Sequence, residues 1–135
     1  MRISEVMTAN PDTAEAGDSI ATVAARMESG NFGSLPVLDG GRLVGVVTDR
    51  DIVVRGVARG SGPDTPVRDV MTPDPVCVEP DSDVEAAAEL MQEKQIRRLY
   101  VTEGDKLVGI VAMADVARQG ADKLSGETIE AISKK

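Results

Sequence analysis

The sequence has very few of the residues on which several common functions depend. Phe32 and Tyr100 are the only aromatic residues among 135, Cys77 is the only cysteine, and histidine is absent. Single-stranded nucleic acids stack on aromatic side chains, so that mode of binding has no platform here. A single cysteine excludes an intrachain disulfide. Without histidine we expect neither a zinc site nor a catalytic centre built on His and Cys.

Positive charge and long apolar runs are also scarce. The formal net charge is −8, which argues against nucleic-acid binding through phosphate contacts and requires a local basic pocket for any anionic ligand. No run approaches the ~20 apolar residues of a membrane span, and the N-terminus lacks the apolar stretch of a signal peptide. We therefore expect a cytoplasmic protein with no membrane partner.

The residues that are present form one unit twice. Val6-Met7-Thr8 recurs 64 residues later as Val70-Met71-Thr72, and the register continues without a gap from Val6 to Val53. Of the 48 aligned pairs, 15 are identical, and many others exchange one apolar residue for another. Chance does not produce that agreement, so the sequence predicts two copies of one fold.

Each copy is predicted to contain a strand, a helix, two strands and a closing helix. The first helix shows apolar residues at helical spacing, from Ile20 to Met27 and from Val84 to Met91. Its predicted N-caps are Asp18 in the first copy and Asp81 or Ser82 in the second.

A predicted hairpin follows each of these helices. Its strands are Ser34–Leu38 and Arg42–Val47 in the first copy, and Arg98–Thr102 and Lys106–Val111 in the second. The closing helices are predicted from Asp49 to about Ala58 and from Met113 to about Gln119.

The predicted fold class is accordingly α/β (α+β). A repeat of about 60 residues is small for an independent core, so we expect the copies to pack face to face about a pseudo-twofold axis with two equivalent clefts between them. The predicted boundaries are residues 1–58 for the first repeat, 59–64 for a linker, 65–119 for the second repeat, and 120–135 for a tail with a helical pattern near Glu127–Ile132.

The stretch Thr48-Asp49-Arg50-Asp51, at the end of the first hairpin, has two interpretations. Thr48 and Asp51 fit a capping box, in which each side chain bonds the other residue's backbone N–H at the start of a helix. A helix N-terminus with a threonine also suits a phosphate, and an aspartate one turn further accepts hydrogen bonds from the hydroxyls of a ribose. The second copy has Ala112 in place of Thr48 but keeps Asp115, which mildly favours a role for the aspartate beyond capping.

The doubled unit resembles a tandem pair of CBS domains, a Bateman module, over essentially Ile3 to Gln119. The resemblance rests on the two Val-Met-Thr segments, the strand segments Gly33–Val37 and Ile96–Val101, and two closing motifs of the form Gly-x-x-Thr-x-x-Asp. The second motif departs at Ala112. Tyr100 departs as well, because the family usually has proline there.

The resemblance implies a ligand. CBS pairs commonly bind adenosine derivatives (AMP, ADP, ATP, S-adenosylmethionine, sometimes NAD) in the clefts between repeats, with the threonine at the phosphate and the aspartate at the ribose. Carried over to this sequence, the first site consists of Thr48, Arg50, Asp51, Val76, Cys77, Ile96, Arg97 and Arg98. The second site consists of Asp12, Thr13, Phe32, Gly33, Ser34, Ala112 and Asp115.

The two predicted sites differ in charge. The first has a hydroxyl and three arginines, so we expect phosphorylated adenosine to prefer it and the second site to be weaker. Arg97 and Arg98 also fit a solvated strand end or an ion pair with Glu93. Cys77 fits a small buried apolar residue better than a reactive thiol.

We predict a regulatory sensor module that binds an adenosine-containing ligand, with AMP, ADP or ATP first, without catalytic activity and without a required cofactor. The alternative is a ligand-free dimerising scaffold or a stress-associated structural protein. In both cases we expect a homodimer, formed by apolar faces such as those of the helices ending near Met27 and Met91, and a downstream protein partner that the sequence does not identify.

Overall fold

The computed structural model describes residues 1–118, so the predicted tail and the end of the second closing helix lie outside the described residues. In chain order the elements are α1 (Ile3–Val6), β1 (Thr8–Ala9), β2 (Ala14–Glu15), α2 (Ile20–Gly30), β3 (Ser34–Asp39), β4 (Arg42–Thr48), α3 (Asp49–Asp51), β5 (Thr72–Pro73), β6 (Cys77–Val78), α4 (Val84–Lys94), β7 (Arg98–Glu103), β8 (Lys106–Ala112) and α5 (residues 113–118). This order confirms the predicted series of elements and the mixed α/β class.

The chain divides into two compact units. The first-repeat unit consists of Asp12–Val76 and Gly104–Leu107; the second-repeat unit consists of Met1–Pro11, Cys77–Glu103 and residues 108–118. No helix in residues 1–118 has the length and apolarity that a membrane-spanning helix needs.

The first-repeat unit is built on a small mixed sheet covered by α2. Strand β2 runs parallel to β3, β3 runs antiparallel to β4, and β5 adds to β4 in antiparallel fashion. The core consists of aliphatic side chains and one methionine: Ala14, Ala16, Ile20, Val23, Met27, Leu35, Val37, Val47, Ile52, Val67 and Val70. Nearly all of these are branched or small, and the aromatic ring of Phe32 packs against them only partly buried.

The second-repeat unit repeats this arrangement. Strand β6 runs parallel to β7, β8 neighbours β7, and β1 adds to β8 in antiparallel fashion. Its buried apolar residues are Ile3, Ala87, Met91, Leu99, Tyr100, Val101, Val111 and Val116. Tyr100 lies in the register of the sheet, where it pairs with Cys77. Pro36, the counterpart of Tyr100 in the first repeat, likewise lies within β3, so the strand forms with either residue at this position.

The leading segment of each repeat belongs to the unit of the other repeat. In the second-repeat unit, the backbone N–H of Ile3 donates to the carbonyl of Ser82 at 2.9 Å. In the first-repeat unit, the equivalent bond runs from Val67 to Asp18 at 2.7 Å. These donors and acceptors correspond at the 64-residue offset, so the two repeats exchange their leading segments in the same way.

Two glycines determine how closely these leading segments approach the sheets. A Cβ atom on Gly45 would lie 2.8 Å from the carbonyl oxygen of Thr72, and one on Gly109 would lie 3.0 Å from that of Thr8. Each glycine therefore provides room for β5 or β1 to pair with the long strand beside it. In each unit, the Val-Met-Thr motif therefore packs directly against the glycine of the closing motif.

The predicted N-caps of the long helices were wrong by one or two residues. The caps are Ser19, whose hydroxyl accepts from Thr22 N–H at 3.1 Å, and Asp83, whose carboxylate accepts from Glu85 N–H at 3.3 Å. Asp18 instead accepts from the backbone N–H of Glu15 and closes the preceding turn. A serine and two aspartates in a row all suit a cap, so the pattern alone did not distinguish them.

The sequence predicted a regular helix from Asp49 to about Ala58, but the first closing helix is not α-helical throughout. Only Asp49–Asp51 are α-helical; Ile52–Gly56 form a π-helical turn and Val57–Arg59 a 3₁₀ turn. The wide turn brings Gly56 against α2, where a Cβ would lie 3.3 Å from the Ile20 side chain. Packing against α2 therefore accompanies the departure from regular helix.

Candidate functional site

The Thr48–Asp51 pair forms the reciprocal capping box that its spacing predicts. The Thr48 hydroxyl accepts from Asp51 N–H, and the Asp51 carboxylate accepts from Thr48 N–H, each at 3.0 Å. Thr48 is the last residue of β4 and the N-cap of α3, so the strand leads directly into the helical turn that contains Asp51. The structural role of the motif is real, and it uses one acceptor position of the carboxylate.

The Asp51 carboxylate has two further neighbours that the sequence analysis missed. The Thr72 hydroxyl lies 3.4 Å from each carboxylate oxygen, and Arg55 Nε lies 3.9 Å from Oδ1. Asp51 is only 9% exposed, so these groups surround a largely desolvated charge. A buried carboxylate requires such partners, because an unpaired charge there is costly. Thr72 belongs to the repeated Val-Met-Thr segment, but only the fold shows that its side chain meets Asp51.

The corresponding place in the second-repeat unit is built differently. Ala112 removes the capping hydroxyl, and the Asp115 carboxylate bonds Arg118 on its own helix at 3.0 Å. Asp115 is also partly exposed, with 31% of its side chain accessible. The two aspartates therefore occupy equivalent positions but differ in burial and in the groups that hold them.

In each unit, the residue before the first hairpin strand bonds the start of the closing helix. Asp49 N–H donates to the Gly33 carbonyl at 3.0 Å, and Met113 N–H donates to the Arg97 carbonyl at 2.7 Å. In the first-repeat unit, Ser34 also pairs with Thr48 across the hairpin. The pre-strand and closing motifs of one repeat are therefore neighbours within its own unit.

Each predicted site draws its residues from both units. For the first site, Thr48, Arg50, Asp51 and Val76 lie in the first-repeat unit, and Cys77, Ile96, Arg97 and Arg98 in the second. For the second site, Ala112 and Asp115 lie in the second-repeat unit, and Asp12, Thr13, Phe32, Gly33 and Ser34 in the first. Assembly of either complete site stays a prediction. Arg50 and Arg97 are exposed.

Cys77 is exposed, and the prediction of a buried apolar residue was wrong. Desolvation of the thiol nevertheless raises the pKa of Cys77, and a hydrogen bond with Thr102 partly opposes that shift. Burial raises the pKa of Tyr100 as well, against the opposing charge of Arg98. The thiol therefore stays protonated and weakly nucleophilic at neutral pH.

A shallow cavity in the first-repeat unit includes two of the predicted ligand residues. It measures about 370 Å³ and is lined by Met27, Glu28, Asn31, Phe32, Gly33 and Asp49. Its carboxylates make it unsuited to a phosphate. Among residues 1–118 no group of three or more His, Cys, Asp or Glu side chains is arranged to hold a metal ion.

The chain belongs to the CBS domain family, which it matches over residues 3–56 and 67–122. The CBS domain-containing protein YhcV of Bacillus subtilis is 37% identical over 132 residues, 97% of this chain and 94% of the relative. Hypoxic response protein 1 of Mycobacterium tuberculosis is 32% identical over 130 residues, 95% of this chain and 91% of the relative. The resemblance inferred from the repeated motifs is thus confirmed.

Solved structures of CBS proteins share the fold. Hypoxic response protein I with two coordinated zinc ions has a TM-score of 0.77 at 30% identity, covering 87% of this chain and 98% of that one. CBSX2 in complex with AMP has a TM-score of 0.78 at 28% identity, covering 90% and 96%. The CBS domain pair of MJ0100, in complex with 5′-methylthioadenosine and S-adenosyl-L-methionine, has a TM-score of 0.76 at 26% identity, covering 91% and 98%.

Proposed function

We propose that this chain is a regulatory module without catalytic activity that binds an adenosine-containing ligand, with AMP, ADP or ATP first. Family membership and the AMP and S-adenosyl-L-methionine complexes of similar proteins support the ligand class. The observation that carries the proposal in this chain is the Asp51 carboxylate, which is buried, oriented by backbone and hydroxyl donors, and placed beside a helix N-terminus. That arrangement suits a ribose beside a phosphate.

We further propose that phosphorylated ligands prefer the first site, formed by Thr48, Arg50, Asp51, Val76, Cys77, Ile96, Arg97 and Arg98. Its arginines supply the positive charge that a phosphate requires in a chain of net charge −8. The second site, with Asp12, Thr13, Phe32, Gly33, Ser34, Ala112 and Asp115, lacks the hydroxyl and has fewer cations. We propose that it is the weaker site.

The alternative function is a ligand-free scaffold or a stress-associated structural protein. The closed capping box favours it, because Asp51 already has a structural role without any ligand. The name of the relative hypoxic response protein 1 points in the same direction. In this alternative the Thr48–Asp51 pair only begins a helix.

Thermal melting with added nucleotides separates the two functions. We expect AMP, ADP or ATP, at about 100 times its dissociation constant, to add about 2.7 kcal/mol of stability, a rise of several degrees. S-adenosylmethionine and NAD belong in the same panel. Absence of a shift with every compound would refute the sensor and leave the scaffold.

Two isosteric variants locate the ligand. Asp51→Asn removes the charge that accepts the ribose hydroxyls, so we expect it to weaken AMP binding about tenfold or more. Asp115→Asn is the matched control and should leave the stronger site unchanged. Titration calorimetry measures both, and equal losses in the two variants would contradict the preference for the first site. Melting of each unliganded variant separates lost binding from lost fold.

We also propose a homodimer. The Met27 and Met91 faces, which the sequence favoured, are buried within their units. The large apolar side chains that residues 1–118 leave exposed are instead Met1, Val53, Val54 and Val57, and Val53 and Val57 are 57% and 64% exposed. Three valines within five residues of one helical segment support this segment as the contact surface. The downstream partner, the cytoplasmic location and the repeat boundaries stay predictions.

A further inference from the structure

We propose that Thr72 is a positioning residue for the ligand site: its hydroxyl orients the Asp51 carboxylate so that each carboxylate oxygen keeps one acceptor position open for a ribose hydroxyl. This inference rests on the proposed function and deepens it, because it makes Thr72 a determinant of selectivity for ribose over deoxyribose. The residues that carry it all lie in the first-repeat unit.

The Thr72 hydroxyl lies midway between the two oxygens of the Asp51 carboxylate. Thr72 Oγ1 lies 3.4 Å from both Oδ1 and Oδ2 of Asp51, so it is shared evenly between them. Thr48 N–H donates to Oδ2 alone, at 3.0 Å. One donor therefore fixes an oxygen, and the other lies across the carboxylate and limits its rotation.

The Asp51 carboxylate has acceptor positions to spare after its contacts within the protein are counted. An ionised carboxylate offers about four lone-pair positions on its two oxygens. The Thr48 N–H occupies one position on Oδ2, and a hydroxyl with a single hydrogen occupies one more when it turns toward Oδ1. Arg55 Nε, 3.9 Å from Oδ1, is beyond hydrogen-bond distance and occupies none. One position then remains on each oxygen, which matches the two hydroxyl donors of a ribose.

The backbone around Thr72 is held in place by strand pairing and by a hydrogen bond from Arg55. Strand β5 pairs Thr72 with Val46, and the absence of a side chain at Gly45 permits that close approach. Arg55 Nη1 donates to the carbonyl of Met71 at 3.1 Å. The neighbouring Nε of Arg55 faces Asp51, so one arginine joins the Met71–Thr72 segment to the carboxylate.

The second repeat provides a natural comparison. Thr8 is the counterpart of Thr72, and it also lies on a short strand paired with a long one. The counterpart of Asp51, however, is Asp115, which bonds Arg118 instead. A threonine at this point of the repeat therefore does not by itself orient an aspartate, and Thr8 can serve as a matched control.

The test compares the full chain with its Thr72→Val, Thr72→Ser and Thr8→Val variants, using AMP and 2′-deoxy-AMP as probes. A hydrogen bond from a hydroxyl to a charged acceptor corresponds to about a tenfold change in affinity, so we expect the wild type to bind AMP about tenfold more tightly than 2′-deoxy-AMP. In Thr72→Val that ratio should fall to about threefold or less. Thr72→Ser should restore it, and Thr8→Val should leave it unchanged.

The outcomes separate this inference from the proposed function. A wild type that binds neither nucleotide overturns the proposed function, and this inference with it. A Thr72→Val variant that weakens both nucleotides equally, or keeps the full ratio, overturns this inference alone, because a merely structural hydroxyl would not affect ribose selectivity. A second measurement needs no ligand: amide exchange of Thr48 should accelerate in Thr72→Val relative to Thr8→Val. Unchanged exchange also overturns the inference.

Discussion

Gly45→Ala is the substitution whose cost the structure defines most closely. The added Cβ would lie 2.7 Å from the Met71 sulfur and 2.8 Å from the carbonyl oxygen of Thr72. The Met71 side chain is flexible and can move away. The Thr72 carbonyl belongs to the backbone of β5, whose pairing with β4 holds it in place. Relief of the contact therefore requires β5 to withdraw from the sheet.

The size of the effect follows from this geometry. Inserting a methyl group into a well-packed contact typically costs 1–3 kcal/mol, and a clash with backbone belongs in the middle of that range or above. We expect a loss of about 2 kcal/mol in the free energy of unfolding. For a chain of this size that is roughly a 6 °C fall in melting temperature. Because Thr72 moves with β5, AMP binding should weaken as well.

Thermal and urea denaturation of three alanine variants test this reasoning. Gly109→Ala should resemble Gly45→Ala, since its Cβ would lie 2.5 Å from the Met7 sulfur and 3.0 Å from the Thr8 carbonyl. Gly62→Ala is the control: its Cβ would contact nothing within 4 Å, so we expect unchanged or slightly higher stability. A Gly45→Ala protein that melts within about 1 °C of wild type would refute the close-approach argument.

Two further predictions concern the thiol and the apolar surface. Because desolvation raises the pKa of Cys77, its alkylation by iodoacetamide should accelerate only above the pH typical of free cysteine. Thr102→Val removes the opposing hydrogen bond and should move the midpoint of the pH–rate curve higher. A midpoint at or below that of free cysteine would contradict this prediction. As the pH rises, the unfolded chain loses the thiol proton before the folded chain does. The free energy of unfolding should therefore decline as the pH rises through the ordinary thiol pKa. Replacing Val53 and Val57 together by Ser should convert the wild-type dimer into a monomer in sedimentation equilibrium. Ala117→Ser, at the counterpart of Val53, is the control and should leave the measured mass unchanged. A monomeric wild type would refute the proposed dimer.

Local patterns in the sequence were sufficient to predict the elements and one motif. The apolar spacing in α2 and α4, the hairpins around Gly40 and Gly104, and the Thr48–Asp51 capping box depend on residues at most a few positions apart. The wrong predictions were of other kinds. The predicted helix caps were wrong because adjacent polar residues suit a cap equally. The predicted burial of Cys77 was wrong because burial depends on which distant elements pack over a residue.

The sequence by itself therefore determined that the protein consists of two CBS repeats, since a register of 64 residues, two Val-Met-Thr segments and two closing motifs are all visible in the chain. Only the tertiary structure decided that the leading segment of each repeat packs in the unit of the other repeat. As a consequence, Thr72 contacts Asp51. The physical reason is that strand pairing is a non-local contact. The sequence marks Gly45 and Thr72 as parts of repeated motifs, but the strand with which each pairs depends on the folded chain.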